Sequence, residues 1–265
     1  MEEPQEVEPS QDWEHRELYD RVKSTISALP SRYESDINIE GLDAEDLFSL
    51  NSVLATTIES NVVETLNEMR SVWDPDGEYA DCSFIRQSQT FPDVLFVRHA
   101  EGGEIDPIMG IELKGWYLIS KEKEPSFRFK ITPDACAPQD LAVLFPWALD
   151  NVLSGEPELY EPYVTSAKRA SRYVDYYWQE LRRTDLDTTI HRPDDAEPYP
   201  DPKSDEIHDV PEEDSNNYGR LARSGIMDNY KERMWNKELA GIRVEEWISF
   251  LKNAEGNPEA KLGNL

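Results

Sequence analysis

An α+β fold with its sheet in the middle of the chain is predicted by three observations. A helical apolar period runs through residues 41–79, and it gives way between residues 81 and 148 to five short runs rich in β-branched and aromatic residues. Helical patterns then resume from residue 161 onward. Strands gathered in one stretch, with helices before and after, are the order of an α+β domain.

The elements follow in turn. Residues 1–15, rich in Glu and Pro, read as a disordered acidic N-terminus. A helix is expected from about Trp13 to Leu29, closed by "LPSRY". The next segment reads as one long helix, because Leu47, Leu50, Leu54, Ile58, Val62 and Leu66 recur at three- and four-residue spacing and mark a single buried face. "DPDG" ends it. The runs "DCSFIRQS", "PDVLFVRH", "IMGIELKGWYLIS" and "SFRFKIT" read as a meander of four consecutive strands, with turn signals in "AEGGEIDP" and "KEKEP". "DLAVLFPWA" is a continuous apolar run, as expected of a strand buried on both faces.

A helix from about Glu161 to Arg183 comes next, with Tyr163, Ala167, Ala170, Tyr173 or Val174, Tyr177 and Leu181 on its inner stripe. Residues 184–214 combine prolines with acids and read as a surface loop. Residues 215–265 read as a C-terminal helical extension, two helices joined near "AGIRV". The main domain is thus placed at residues 16–183.

A chain of 265 residues is long enough to bury a sizeable core. No run approaches the roughly 18 apolar residues of a membrane span, and the acidic N-terminus has no signal-peptide pattern, so a soluble, cytoplasmic protein without a membrane partner is expected. Cys82 and Cys136 have neither disulfide-framework nor zinc-ligand spacing and read as buried thiols. Acids outnumber bases 55 to 27, for a formal charge of -28. Spread over nearly every surface, this charge fits adaptation to high salt, where solvated carboxylates keep a protein soluble. Global charge argues against nucleic acid; local charge has to decide.

One constellation can carry chemistry. Asp93 follows Pro92 at the start of a predicted strand, and Glu112 and Lys114, two apart on the next strand, project from the same face. Two carboxylates at one point repel unless a cation sits between them, and hard oxygen ligands suit Mg²⁺. A neighbouring lysine can hold a water and offset charge building on a phosphate. The plain alternative is an exposed cross-strand ion pair worth a few tenths of a kcal/mol. None of His15, His99, His191 and His208 has a partner spacing that suggests a Ser/His/Asp hydrolase.

"PD" at residues 92 and 93, about twenty intervening residues, and "ELK" at Glu112–Lys114 resemble the signature of the PD-(D/E)xK nuclease superfamily. The resemblance spans about residues 45–183. It implies a restriction endonuclease-like core, a central mixed sheet flanked by helices, and a glutamate on the preceding helix, for which Glu59 is the first choice and Glu64 the second. In that implied mechanism Asp93, Glu112 and the Leu113 carbonyl bind Mg²⁺, Lys114 positions the water, and Glu59 assists the metal. The implied function is Mg²⁺-dependent cleavage of double-stranded DNA, as a type II restriction endonuclease acting as a homodimer. A structure-selective repair or defence nuclease, or a silent binding module, is the alternative.

A DNA-binding protein still needs a locally positive surface. Arg169 and Arg172, three apart, and Arg220 and Arg223, also three apart, form two candidate phosphate-binding pairs, with Lys231 nearby. Asn216, Asn217 and Tyr218 are candidates for base contacts. The alternative is that these bases neutralise nearby acids.

Overall fold

The structure, a computed structural model, describes residues 2–41, 46, 50–87, 90–100, 102–181 and 219–255. Helix α1, Arg16–Ala28, continues into a 3-10 turn at Leu29–Ser31. Helix α2, Leu50–Glu68, buries Leu50, Leu54, Ile58, Val62 and Leu66, the face that its apolar period marks. Leu47 lies outside the described residues. A short turn of helix, Arg70–Trp73, brings in Trp73, whose indole donates to the Leu66 carbonyl at 2.8 Å and meets Phe84 and Phe96 edge-on.

The sheet is mixed. Strands β1 (Cys82–Arg86), β2 (Val94–His99) and β3 (Ile105–Tyr117) form an antiparallel meander, and β4 (Leu141–Leu149) lies parallel to β3. All nine residues of β4 are buried, as its unbroken apolar run requires of a central parallel strand. Its far edge pairs with two antiparallel strands, β5 (Pro157–Leu159) and β6 (Tyr163–Ser166). Helix α3 (Ala167–Tyr176) follows directly, and a π-helical turn, Tyr177–Leu181, extends it. After residue 218, α4 (Asp228–Trp235), a two-stranded ribbon of β7 (Glu238–Leu239) and β8 (Ile242–Arg243), and α5 (Val244–Glu255) complete the described chain. No described helix is long and apolar enough to cross a membrane.

Three expectations need correction. "SFRFKIT" is not a fourth meander strand. Phe127 and Phe129 are buried and their neighbours exposed, so the alternation is real, but among the described residues the only pairing is a bridge of Arg128 to Arg220. An alternating pattern reports burial on one side, not the presence of a ladder. The parallel β3–β4 connection therefore runs as coil with one 3-10 turn, Pro133–Ala135, where a helix is usual. Second, the helix expected from Glu161 begins at Ala167. Tyr163, Val164 and Thr165 are strand formers that pair with β4, and Ser166 caps the helix by accepting the Arg169 N–H at 3.1 Å. Within the expected stripe, Ala167, Ala170, Tyr173 and Val174 are buried and Leu181 is exposed.

Third, the acidic N-terminus is anchored rather than disordered. The Glu6 carboxylate accepts from the Ser166 N–H and, at 2.9 Å, from the Thr165 hydroxyl, and it pairs with Arg169 at 3.2 Å. Glu3 accepts from the Tyr173 hydroxyl at 2.8 Å, and Glu8 pairs with Arg16 and Lys23. The expected loop at residues 184–214, with Asn216, Asn217 and Tyr218, lies outside the described residues.

Candidate active site

The site exists because β3 outruns β2. Val94, the first residue of β2, sits opposite Ile111, while β3 continues to Tyr117 paired, among the described residues, only with β4. Beyond Ile111 the β2-side edge of β3 is open, and alternate residues direct their N–H and C=O to it. Two carboxylates close that edge. Asp93 Oδ2 accepts the Leu113 N–H at 3.0 Å, and Glu59 Oε1, reaching over from α2, accepts the Gly115 N–H at 3.3 Å. The Leu113 carbonyl faces the same edge as its N–H.

Reciprocal bonds lock the two acids of the motif together. The Asp93 N–H donates to Glu112 Oε2 at 3.2 Å while the Asp93 side chain holds the residue after Glu112. Gln87 fixes the turn from the β1 side: its N–H donates to the Asp93 carbonyl at 2.7 Å and its side-chain amide to the Pro92 carbonyl at 3.0 Å. Close packing beneath requires Gly110, since a Cβ there would lie 2.4 Å from Pro92 Cγ and 2.9 Å from Asp140 Oδ1.

Lys114 joins through Glu59, its ammonium lying 3.2 Å from Glu59 Oε1. Arg86 approaches the other oxygen of Glu59 at 3.6 Å and donates to the Ser60 hydroxyl at 2.6 Å. The structure thus brings together Asp93, Glu112, Lys114 and Glu59. It puts Glu59 on the lysine and on Arg86, the part of a residue that holds cations in place. Glu64, the second choice on α2, is exposed and lines an open cavity of about 590 Å³ with Glu68, Tyr33 and Arg32, apart from the corner just described.

Electrostatics separate this corner from an ordinary ion pair. Burial, and then the Asp93 carboxylate, push Glu112 up to about 8, against the opposing Asp93 N–H. Burial also raises Asp93, the Leu113 N–H pulls it back down, and Glu59 raises it further. Two half-buried acids thus resist holding charge side by side. Among the described residues, Asp93 Oδ1 and Glu112 Oε1 have no hydrogen-bond donor.

This donor set fits Mg²⁺, which is ordinarily bound through one or two carboxylates, with waters and substrate oxygens supplying the rest. A cage is not what the corner offers: among the described residues no three His, Cys, Asp or Glu side chains are arranged to hold a metal ion.

The candidate phosphate-binding bases sit elsewhere, and most of them are engaged. Arg169 pairs with Glu6, Arg220 with Glu122 at 2.8 Å, and Arg223 with Glu124 at 3.0 Å. Lys231 is buried between Glu124, Asp228 and the Ala222 carbonyl. Arg172 is exposed, with no ion pair among the described residues. His15 packs against Tyr79, and His99 shares a hydrogen bond with Ser83. Sequence reasoning missed Arg86 and Gln87. The signal that finds them is the β1–β2 hairpin, which sets Arg86 opposite Val94 and so beside Asp93. A scan against protein-family models, a search of curated proteins and a search of solved structures each return no match.

Proposed function

We propose that the protein is a metal-dependent hydrolase of DNA phosphodiester bonds, with a restriction endonuclease-like core and its active site at Asp93, Glu112 and Lys114. The observation that carries this reading is the charge balance of the corner. Three carboxylates, Glu59, Asp93 and Glu112, face two cations, Lys114 and Arg86, leaving one negative charge when all are ionised. One divalent cation and one phosphodiester bring that sum to zero. Glu112 holds its proton more tightly than an ordinary glutamate, first because it is buried and second because the Asp93 carboxylate faces it, and a cation bound between the two would relieve both.

When bound, Mg²⁺ supplies Lewis-acid chemistry at the phosphoryl oxygen and lowers the pKa of water. Asp93 and Glu112 contribute one donor-free oxygen each, and the Leu113 carbonyl supplies a third on the same edge. Lys114, steered by Glu59, brings a positive charge to the side of the acids and holds a water or a phosphate oxygen by hydrogen bonding. Glu59 fixes the lysine and the strand edge together, because one of its oxygens takes both the Lys114 ammonium and the Gly115 N–H. The three-strand meander followed by a parallel strand, after a helix that bears Glu59, supports the core assignment. Sequence-specific restriction cleavage by a homodimer is the finer form of the proposal and rests on the motif.

Incubation of plasmid with wild-type protein and Lys114→Ala, in Mg²⁺ at low and high KCl, tests the reading. Cleavage by wild type, reduced at least about 10²-fold in the variant, is the expected result. No cleavage by wild type in any condition overturns the function, and full activity in the variant overturns the site.

A further inference from the structure

We propose that Arg86 is a substrate-contacting residue of this site, which exchanges its contact with Glu59 for an oxygen of a phosphodiester beside the acid pair. The inference rests on the nuclease reading and adds a residue that the motif does not contain.

Position comes first. Arg86 ends β1 opposite Val94, and Val94 lies opposite Ile111, so one transverse row of the sheet leads from the guanidinium to the residues next to both acids. The side chain crosses toward α2, where Ser60 holds one end of it. Its charge reaches the corner and is felt by Asp93.

Its commitments are partial. A guanidinium carries five N–H donors. Nη1 is anchored at 2.6 Å on Ser60, with the Thr56 carbonyl at 3.5 Å, while Nη2 stands 3.6 Å from Glu59, outside hydrogen-bonding distance. Nε has no acceptor among the described residues. The side chain is 37% exposed, against 30% for Lys114, whose ammonium makes a hydrogen bond to Glu59 at 3.2 Å. Of the two cations, Arg86 therefore has more donors to spare, both N–H groups of Nη2 and that of Nε against two on the Lys114 ammonium, and it is slightly more exposed. Its planar fork also matches two oxygens of a phosphate better than an ammonium does. A purely structural role would leave it as the charge partner of Glu59.

The test is duplex binding by wild type, Arg86→Ala and Arg86→Lys in Ca²⁺ across a KCl series, with the fold of each variant checked by circular dichroism and plasmid cleavage followed in Mg²⁺. Losing one phosphate contact makes the slope of log K against log [KCl] shallower by about 0.9 in Arg86→Ala. Affinity at low salt falls about tenfold or more. Arg86→Lys, which keeps the charge, retains the wild-type slope, and this guards against a folding defect in the alanine variant. In cleavage, Arg86→Ala raises KM more than it lowers kcat. An unchanged slope in Arg86→Ala alongside wild-type cleavage overturns the role of Arg86 and leaves the nuclease reading standing. Absence of both binding and cleavage in wild type overturns both.

Discussion

Two carboxylate corners lie within three residues of each other along β3, and they handle the cost of burial in opposite ways. Asp140 is buried, and burial raises its pKa, yet both of its oxygens are spent: Oδ1 accepts the Gly110 N–H at 2.8 Å and Oδ2 the Ala137 N–H at 2.7 Å. Its own carbonyl takes the Ala167 N–H at 2.8 Å, so one residue ties β3, the crossover and α3 together. Asp93 and Glu112 receive one backbone N–H each and face one another. Burial alone therefore does not separate the two corners. Charge left uncompensated after the local donors have been counted does.

Removing the satisfied acid is expected to have the largest effect on stability. Asp140→Ala strands the Gly110 and Ala137 N–H groups and unties three elements, at a cost of about 2–5 kcal/mol. Urea denaturation measures it. A loss below about 1 kcal/mol would mean that water replaces the carboxylate and that Asp140 is not the tie described.

Glu112→Gln is expected to act in the opposite direction, stabilising the protein by about 1 kcal/mol while abolishing cleavage, because Gln needs neither the proton that folded Glu112 must retain nor a desolvated charge held against Asp93. The pH dependence sharpens the point. With Glu112 at about 8 when folded against an ordinary 4.5, the native state keeps a proton that the unfolded chain has already lost between those values. Stability from this group therefore falls as pH rises from about 4.5 to about 8 and is level above that. Asp93 and Asp140, both raised, contribute slopes of the same sign, so the difference between wild type and Glu112→Gln isolates Glu112. Thermal melts from pH 5 to 9 show this difference narrowing towards acid pH. At pH 8, Mg²⁺ raises the melting temperature of wild type and not of the variant. A difference that does not vary with pH would equate the two corners and remove the contrast.

The sequence made the helix face of α2, the burial of β4 and the acid pair legible, because each is a property of neighbours along the chain. Leu54, Ile58 and Val62 report their face by spacing, and Asp93 and Glu112 declare themselves by type and strand position. What it hid depends on partners far away. Phe127 and Phe129 alternate like a strand, but among the described residues no neighbouring strand pairs along their length. Glu6 looks like one more solvated acid until Thr165, Ser166 and Arg169 are folded against it. Arg86 gains meaning only from register, which places it beside Asp93. The acid-rich composition described the solvent-facing shell and was silent on which acids are paired.

The smallest expected effect concerns the bases that are already paired. Arg220 and Arg223 are engaged by Glu122 and Glu124, so their charges are paired as the oxygens of Asp140 are, although Arg220 Nε is buried without an acceptor among the described residues. Replacing both with Ala is expected to cost about 1 kcal/mol of stability, less in high KCl, since the exposed Glu122 returns to solvent and the half-buried Glu124 keeps Lys231. The salt slope of duplex binding should stay at its wild-type value. A slope shallower by about 1.8, two phosphate contacts' worth, would show that these arginines leave their glutamates for DNA. In that case Glu122 and Glu124 would be stand-ins for phosphate, and compensation within the free protein would no longer separate architecture from function. An unchanged slope, with Arg86→Ala made shallower in the same assay, confines phosphate contact to the corner where donors and charges are out of balance.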